Sequence, residues 1–126
     1  MTVYIGVDLH KTQFTVHERT CEANQLTALD IQGLSNLKVL SCAFNQLNAG
    51  TFIKLFNDLP KRTPDDKATC TLYFEGEFQG NHDGNHTDFT SPPALKTAFD
   101  KAKNEKKWTM CKLLLENGNP KQVNIN

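Results

Sequence analysis

Apolar and polar residues recur along this chain at intervals that mark out short strands and two helices. Residues 3–7 alternate apolar side chains around Gly6 and predict a strand; 8–12 are polar enough to turn, and 14–17 can return as a second strand. Together they predict an N-terminal β-hairpin, although no Asn-Gly or Asp-Gly marks its bend. Leu29, Ile31, Leu34 and Leu37 lead into the clearest strand, 37–42. After Leu47 the period changes, and Phe52, Leu55, Phe56 and Leu59 fall on one face of a helix that Pro60 ends. Residues 69–74, TCTLYF, are rich in β-formers and predict the next strand. The stretch 75–88 holds three glycines and two histidines without periodicity, which predicts a long loop. Ser91 is a candidate cap for a second helix, whose buried stripe would be Leu95, Ala98, Phe99 and Ala102. Trp108, Met110 and residues 111–115 predict a last strand, and the polar end 116–126 a flexible tail.

The segment LKVLSCAFNQL, residues 37–47, carries a finer pattern. It places Leu37, Leu40, Cys42, Asn45 and Leu47 at the spacing L-x-x-L-x-L-x-x-N-x-L, with Cys42 in the third leucine place. CEANQL repeats its latter half 21 residues earlier, with Cys21, Asn24 and Leu26. In such a repeat the Leu and Cys side chains of a short strand point inward, and the Asn satisfies backbone groups at the turn. The positions between the inward Leu37, Leu40 and Cys42 are then the exposed ones, Lys38, Val39 and Ser41, with Glu22 and Ala23 flanking the inward Cys21 on the preceding coil. On the third strand Thr71 or Tyr73 is expected outside. Tyr73 is the best single anchor for a partner, because aromatics dominate interface energetics.

On these residues, 21–112 resembles the end of a bacterial leucine-rich-repeat protein of the surface-associated type; the match is specific over 21–47 and looser beyond. The resemblance implies a short α/β solenoid fragment, with parallel strands in front, helices behind, and a role in protein–protein contact and adhesion. Residues 1–20 are similar instead to the start of insertion-sequence transposases with a DEDD-type catalytic domain. In that family the acid in the place of Asp8 is a metal-binding catalytic carboxylate. Several carboxylates must converge on Mg²⁺ for that chemistry, and no further motif of the family follows. Counting back from Asn24, the repeat requires an apolar residue where Arg19 stands. The break predicts a junction near residue 20, between a mobile-element start and a repeat gene. The expected division is a 1–20 hairpin, a 21–115 repeat domain and a 116–126 tail.

Composition narrows the function classes. Lys plus Arg equals Asp plus Glu at 14 each, so no global field favours nucleic acid, an anionic membrane or an acidic substrate. No apolar run approaches the roughly 18 residues that would span a bilayer. Asp8 and His10 interrupt any secretory signal, so the expected location is cytoplasmic, although related repeat proteins are often at the cell surface. The four cysteines lack CxxC spacing and are expected as buried, reduced thiols. His82, Asp83, His86 and Asp88 are expected in a solvated loop, with no metal and no cofactor. Asn85-His86-Thr87 matches a glycosylation sequon. The sequence therefore predicts a non-catalytic protein-interaction module with a protein partner and no nucleic acid. The alternative is an inactive transposase fragment of Mg²⁺-dependent strand-transfer ancestry, the one reading in which DNA would be the partner.

Overall fold

A computed structural model describes residues 2–4, 27–78 and 80–125. Asp8, the strand expected at 14–17, and the partial repeat with Cys21, Asn24 and Leu26 lie outside the described residues. The chain is mixed α/β. Its elements run β1 (Thr2–Tyr4), β2 (Val39–Ser41), α1 (Ala49–Asp58), β3 (Thr69–Phe74), β4 (Glu77–Phe78), β5 (Asn81–His82), α2 (Pro93–Asn104), β6 (Thr109–Glu116) and β7 (Asn119–Asn124). One open sheet has the order β1-β2-β3-β6-β7; the first four strands are parallel and β7 is antiparallel. Helices α1 and α2 are the crossovers β2–β3 and β3–β6, as parallel neighbours require.

Both helices cover the same face of the sheet. Phe52, Leu55 and Phe56 of α1 and Leu95, Ala98, Phe99 and Ala102 of α2 share one core with Leu40, Cys70, Leu72 and Met110. Leu40, Cys70 and Met110 are in register across three strands, so each rung supplies one inward side chain to the same layer. Leu37, Cys42 and Leu47 of the repeat are buried beside them. Full burial of each such side chain contributes about 1.5–3 kcal/mol. Phe89 fastens the loop before α2 to this core, its ring 5.1 Å from Phe52, 5.4 Å from Phe99 and 5.9 Å from Phe56.

The helix ends follow from local chemistry. Asn48 caps α1 by accepting from the Thr51 N–H at 2.9 Å. Lys106 Nζ donates to the last carbonyls of α1, Phe56 at 2.8 Å and Asn57 at 2.7 Å, answering orphan acceptors and the negative end of the dipole. At α2 the cap residue is Pro92, with no side-chain bond, and not the expected Ser91.

Two segments differ from the sequence expectation. The described part of the expected tail, 116–125, is not free: Glu116 ends β6 and 119–124 make β7, joined to β6 by Asn117 and Gly118 at φ 53° and 80°. Positive φ at both central residues is the two-residue hairpin turn whose twist suits its strands, and Asn-Gly is its strongest signature. The Ile125 N–H donates to the Met110 carbonyl at 2.7 Å, so the donors of residues 123, 121 and 119 face β6. Pro120 thus falls where its missing N–H would have pointed outward, blunting the sheet edge. The stretch 75–88 is also not uniformly a loop, since Glu77–Phe78 and Asn81–His82 pair as a small antiparallel hairpin.

Candidate functional site

The sheet face away from the helices is the candidate interaction face. Val39, Thr69 and Thr109 stand in register across β2, β3 and β6, each half-buried. Ser41 is also half-buried, while Thr71 is closed over by Gln122, to which its hydroxyl donates at 3.0 Å. Lys38 is exposed at the entry to β2, 3.3 Å from Asp66. Of the expected face residues, Lys38, Val39 and Ser41 are therefore reachable by solvent.

Tyr73 is not. It is 8% exposed, belongs to the helix-side core, and stacks on Phe89 at 6.2 Å. The cause is a register shift between Thr71 and Tyr73 where β3 meets β6. One extra residue reverses the alternation beyond it, turning Tyr73 inward and Phe74 onto the open face. Burial raises the Tyr73 hydroxyl above its ordinary pKa of 10.0, the main influence on it.

Phe74 there joins a second apolar cluster, separate from the main core, with Ala43 and Phe44 and with the half-buried Phe78 and Leu113. The Phe74 ring lies 5.0 Å from Phe44 and 5.7 Å from Phe78. Leu115, two residues beyond Leu113 and on the same face by alternation, is 41% exposed. It is the one large exposed hydrophobic among the described residues. The open face thus carries a polar, β-branched middle and an apolar end.

That end is held by Asp83 and Asn85, whose roles the sequence did not reveal. Asp83 Oδ2 accepts from the N–H groups of Phe44 and Phe74, both at 2.7 Å, and Oδ1 from Asn85 at 2.8 Å. Burial raises the Asp83 carboxyl above its ordinary 3.8, opposed by these donors. Asn85 Nδ2 donates to the carbonyls of Cys42 and Leu72, both at 2.8 Å, and its Oδ1 accepts from the Leu47 N–H at 2.9 Å. Asn45 Nδ2 donates to the same Cys42 carbonyl at 3.0 Å. Gly84 lets the two backbone segments approach, since a Cβ there would stand 2.7 Å from the Asn45 carbonyl oxygen. Asn85 is buried and fully engaged, so its sequon does not present a free amide.

The loop's other titratable groups are separately engaged. His82 faces Glu77 at 3.4 Å, the His86 ring contacts the Asp88 carbonyl at 2.5 Å, and Asp88 accepts from Thr90. Among the described residues, no group of three His, Cys, Asp or Glu stands where it could hold a metal ion. Cys42, Cys70 and Cys111 are free and buried. Cys70 is pushed well above the ordinary thiol pKa by its hydrogen bond with Cys42 and by burial, and Cys111 is raised by burial; both stay protonated and poorly nucleophilic at neutral pH. No helix among the described residues is long and apolar enough to cross a membrane. No family model, curated protein or solved structure matches this chain.

Proposed function

We propose that this chain is a non-catalytic protein-interaction module of leucine-rich-repeat type, which takes a protein partner on its open sheet face. The observation that carries the reading is the pair Asn45 and Asn85, on successive coils, meeting at one backbone carbonyl. An Asn in that place satisfies the backbone where coils stack, the role the repeat pattern assigns to Asn45. The order of strands agrees with it: β2, β3 and β6 neighbour one another in the five-stranded sheet in the order they occur along the chain, with both helices behind them. A short solenoid of this kind offers its strand face for contact, here Lys38, Val39 and Ser41 at one side and Leu113 and Leu115 at the other. β1 lies along β2 and covers an edge that such a fragment would otherwise leave open.

Affinity capture with the wild-type chain and with Val39→Glu, Lys38→Glu and Leu115→Glu tests the face. A partner lost by these variants and kept by a back-face variant, Lys96→Glu, supports it. Equal recovery by all four variants removes it. The transposase-like reading of 1–20 turns on Asp8, outside the described residues. Mg²⁺-dependent DNA cleavage abolished by Asp8→Ala would replace the present proposal.

A further inference from the structure

We infer a second site on the molecule: a cleft for a small, multiply charged oxyanion at the N-terminal ends of β3 and β6, at the opposite end of the strands from the Phe44–Phe74 apolar cluster. The cleft has a volume of about 420 Å³. Lys67, Lys103 and Lys107 line it, Trp108 and Met110 form its apolar wall, and no carboxylate side chain is among its lining residues. All three lysines are exposed, and none has an ion-pair partner among the described residues. Their neighbours differ: Lys38 is paired with Asp66, and Lys106 is bound to the carbonyls of α1.

The placement of two of these lysines goes beyond ordinary surface charge. Thr69 and Thr109 are in register, and each lies two residues after a lysine. Lys67 and Lys107 therefore hold equivalent positions, each just before one of two neighbouring strands. Both have left-handed backbones, φ 51° and 64°, a conformation in which glycine is the ordinary residue and other residues are strained. Like charges lining one cleft repel, and each of these two sits on a costly backbone. An anion between them converts the repulsion into attraction, and Lys103 supplies a third donor from the last turn of α2. An apolar wall with cationic groups around it suits a phosphate or polycarboxylate compound with a small organic body.

Trp108 is the sole tryptophan of the chain and reports from the cleft wall. Its fluorescence, followed at constant ionic strength during titration with pyrophosphate and, separately, with citrate, tests the site. A saturable change with an apparent dissociation constant below about 1 mM is expected. Saturation by pyrophosphate alone assigns the site to phosphates; saturation by both, or by citrate alone, extends it to carboxylates. The double variant Lys67→Gly, Lys107→Gly separates binding from folding. It should weaken binding at least tenfold while raising Tm by about 2–4 °C, because glycine relieves both left-handed residues. No saturable response to either anion, or equal affinity in the folded double variant, overturns the inference. Should the double variant lose its folded signal, Lys103→Gln, which leaves both backbones untouched, carries the same criterion. Loss of partner capture by the open face would leave this outcome unaffected.

Discussion

Asn45 and Asn85 donate to one acceptor, the carbonyl of Cys42, at 3.0 and 2.8 Å. Asn85 adds the Leu72 carbonyl and the Leu47 N–H, so one side chain joins the turns after β2 and β3. Asn85→Ala should cost about 2–4 kcal/mol, since it strands buried groups of Cys42, Leu47 and Leu72. Asn45→Ala should cost less, about 1–2 kcal/mol, because Asn85 still serves the shared carbonyl. Urea unfolding followed by circular dichroism measures both, and the reverse ranking would contradict the shared-carbonyl account.

Gly84 passes so close to the turn after β2 that an added Cβ would meet the Asn45 carbonyl oxygen at 2.7 Å and Gln46 Cγ at 2.9 Å. The Gln46 side chain can move, but the carbonyl belongs to the same buried turn as the Asn45 amide. Gly84→Ala is expected to destabilise by about 1–3 kcal/mol. Gly50→Ala, whose Cβ meets only Asn48 Oδ1 at 3.4 Å, is the control and should be neutral or stabilising.

Tyr73 behaves as a core residue. Tyr73→Ala should lower stability by about 3 kcal/mol, and Tyr73→Phe should retain most of it because the ring packing on Phe89 survives. Thermal unfolding of the two variants distinguishes this from a surface role, in which Tyr73→Ala would unfold like the wild type.

Removal of 117–126 exposes the full length of β6 and strips Thr71 of its bond to Gln122. The open strand carries Leu113, Leu114 and Leu115 in a row, a pairing hazard once unprotected. The truncated chain should self-associate at micromolar concentrations where the intact chain scatters little light. Sedimentation velocity reads the difference.

Acid should act on this protein in two opposing senses. The Asp83 carboxyl is raised above 3.8 by burial, so the folded state binds its proton more readily than the unfolded state. Its stabilising contribution is fully present below 3.8 and is lost as pH rises through the raised value. Asp66, lowered chiefly by its bond from the Thr63 N–H, and Asp88, lowered chiefly by the Thr90 hydroxyl, act in reverse. Their contribution is present above 3.8 and is lost as pH falls through their lowered values. Stability measured from pH 6 downward should therefore hold or rise slightly until about 3.8 and fall below it. Asp83→Ala should lose the upper feature and keep the lower fall.

The helices and most strands were readable from the chain because each is governed by local periodicity. The spacing of Phe52, Leu55 and Phe56 needs no knowledge of what covers them, and the same holds for Leu95, Ala98 and Phe99. β7 carried a local sign too, Asn117-Gly118, but its polar strand hid it: an edge strand with an open face needs few apolar residues. Asn85 was hidden by its distance along the chain. Asn45 follows Leu40 by five residues, whereas Asn85 follows Cys70, the register partner of Leu40, by fifteen, with the β4–β5 hairpin between.

By itself, then, the sequence determined the α/β alternation, the inward set Leu37, Leu40, Cys42 and Leu47, and the inward-turned Asn45, all through short-range spacing. Tertiary structure alone decided that Tyr73 turns in and Phe74 out, that Asp83 and Asn85 hold together the segments that follow β2 and β3, and that Lys67 and Lys107 line one cleft. Each of those depends on strand register between segments about 30 or more residues apart, or on a single extra residue in a strand. Register is set by the sum of contacts across neighbouring strands, and no local window of the chain contains that sum.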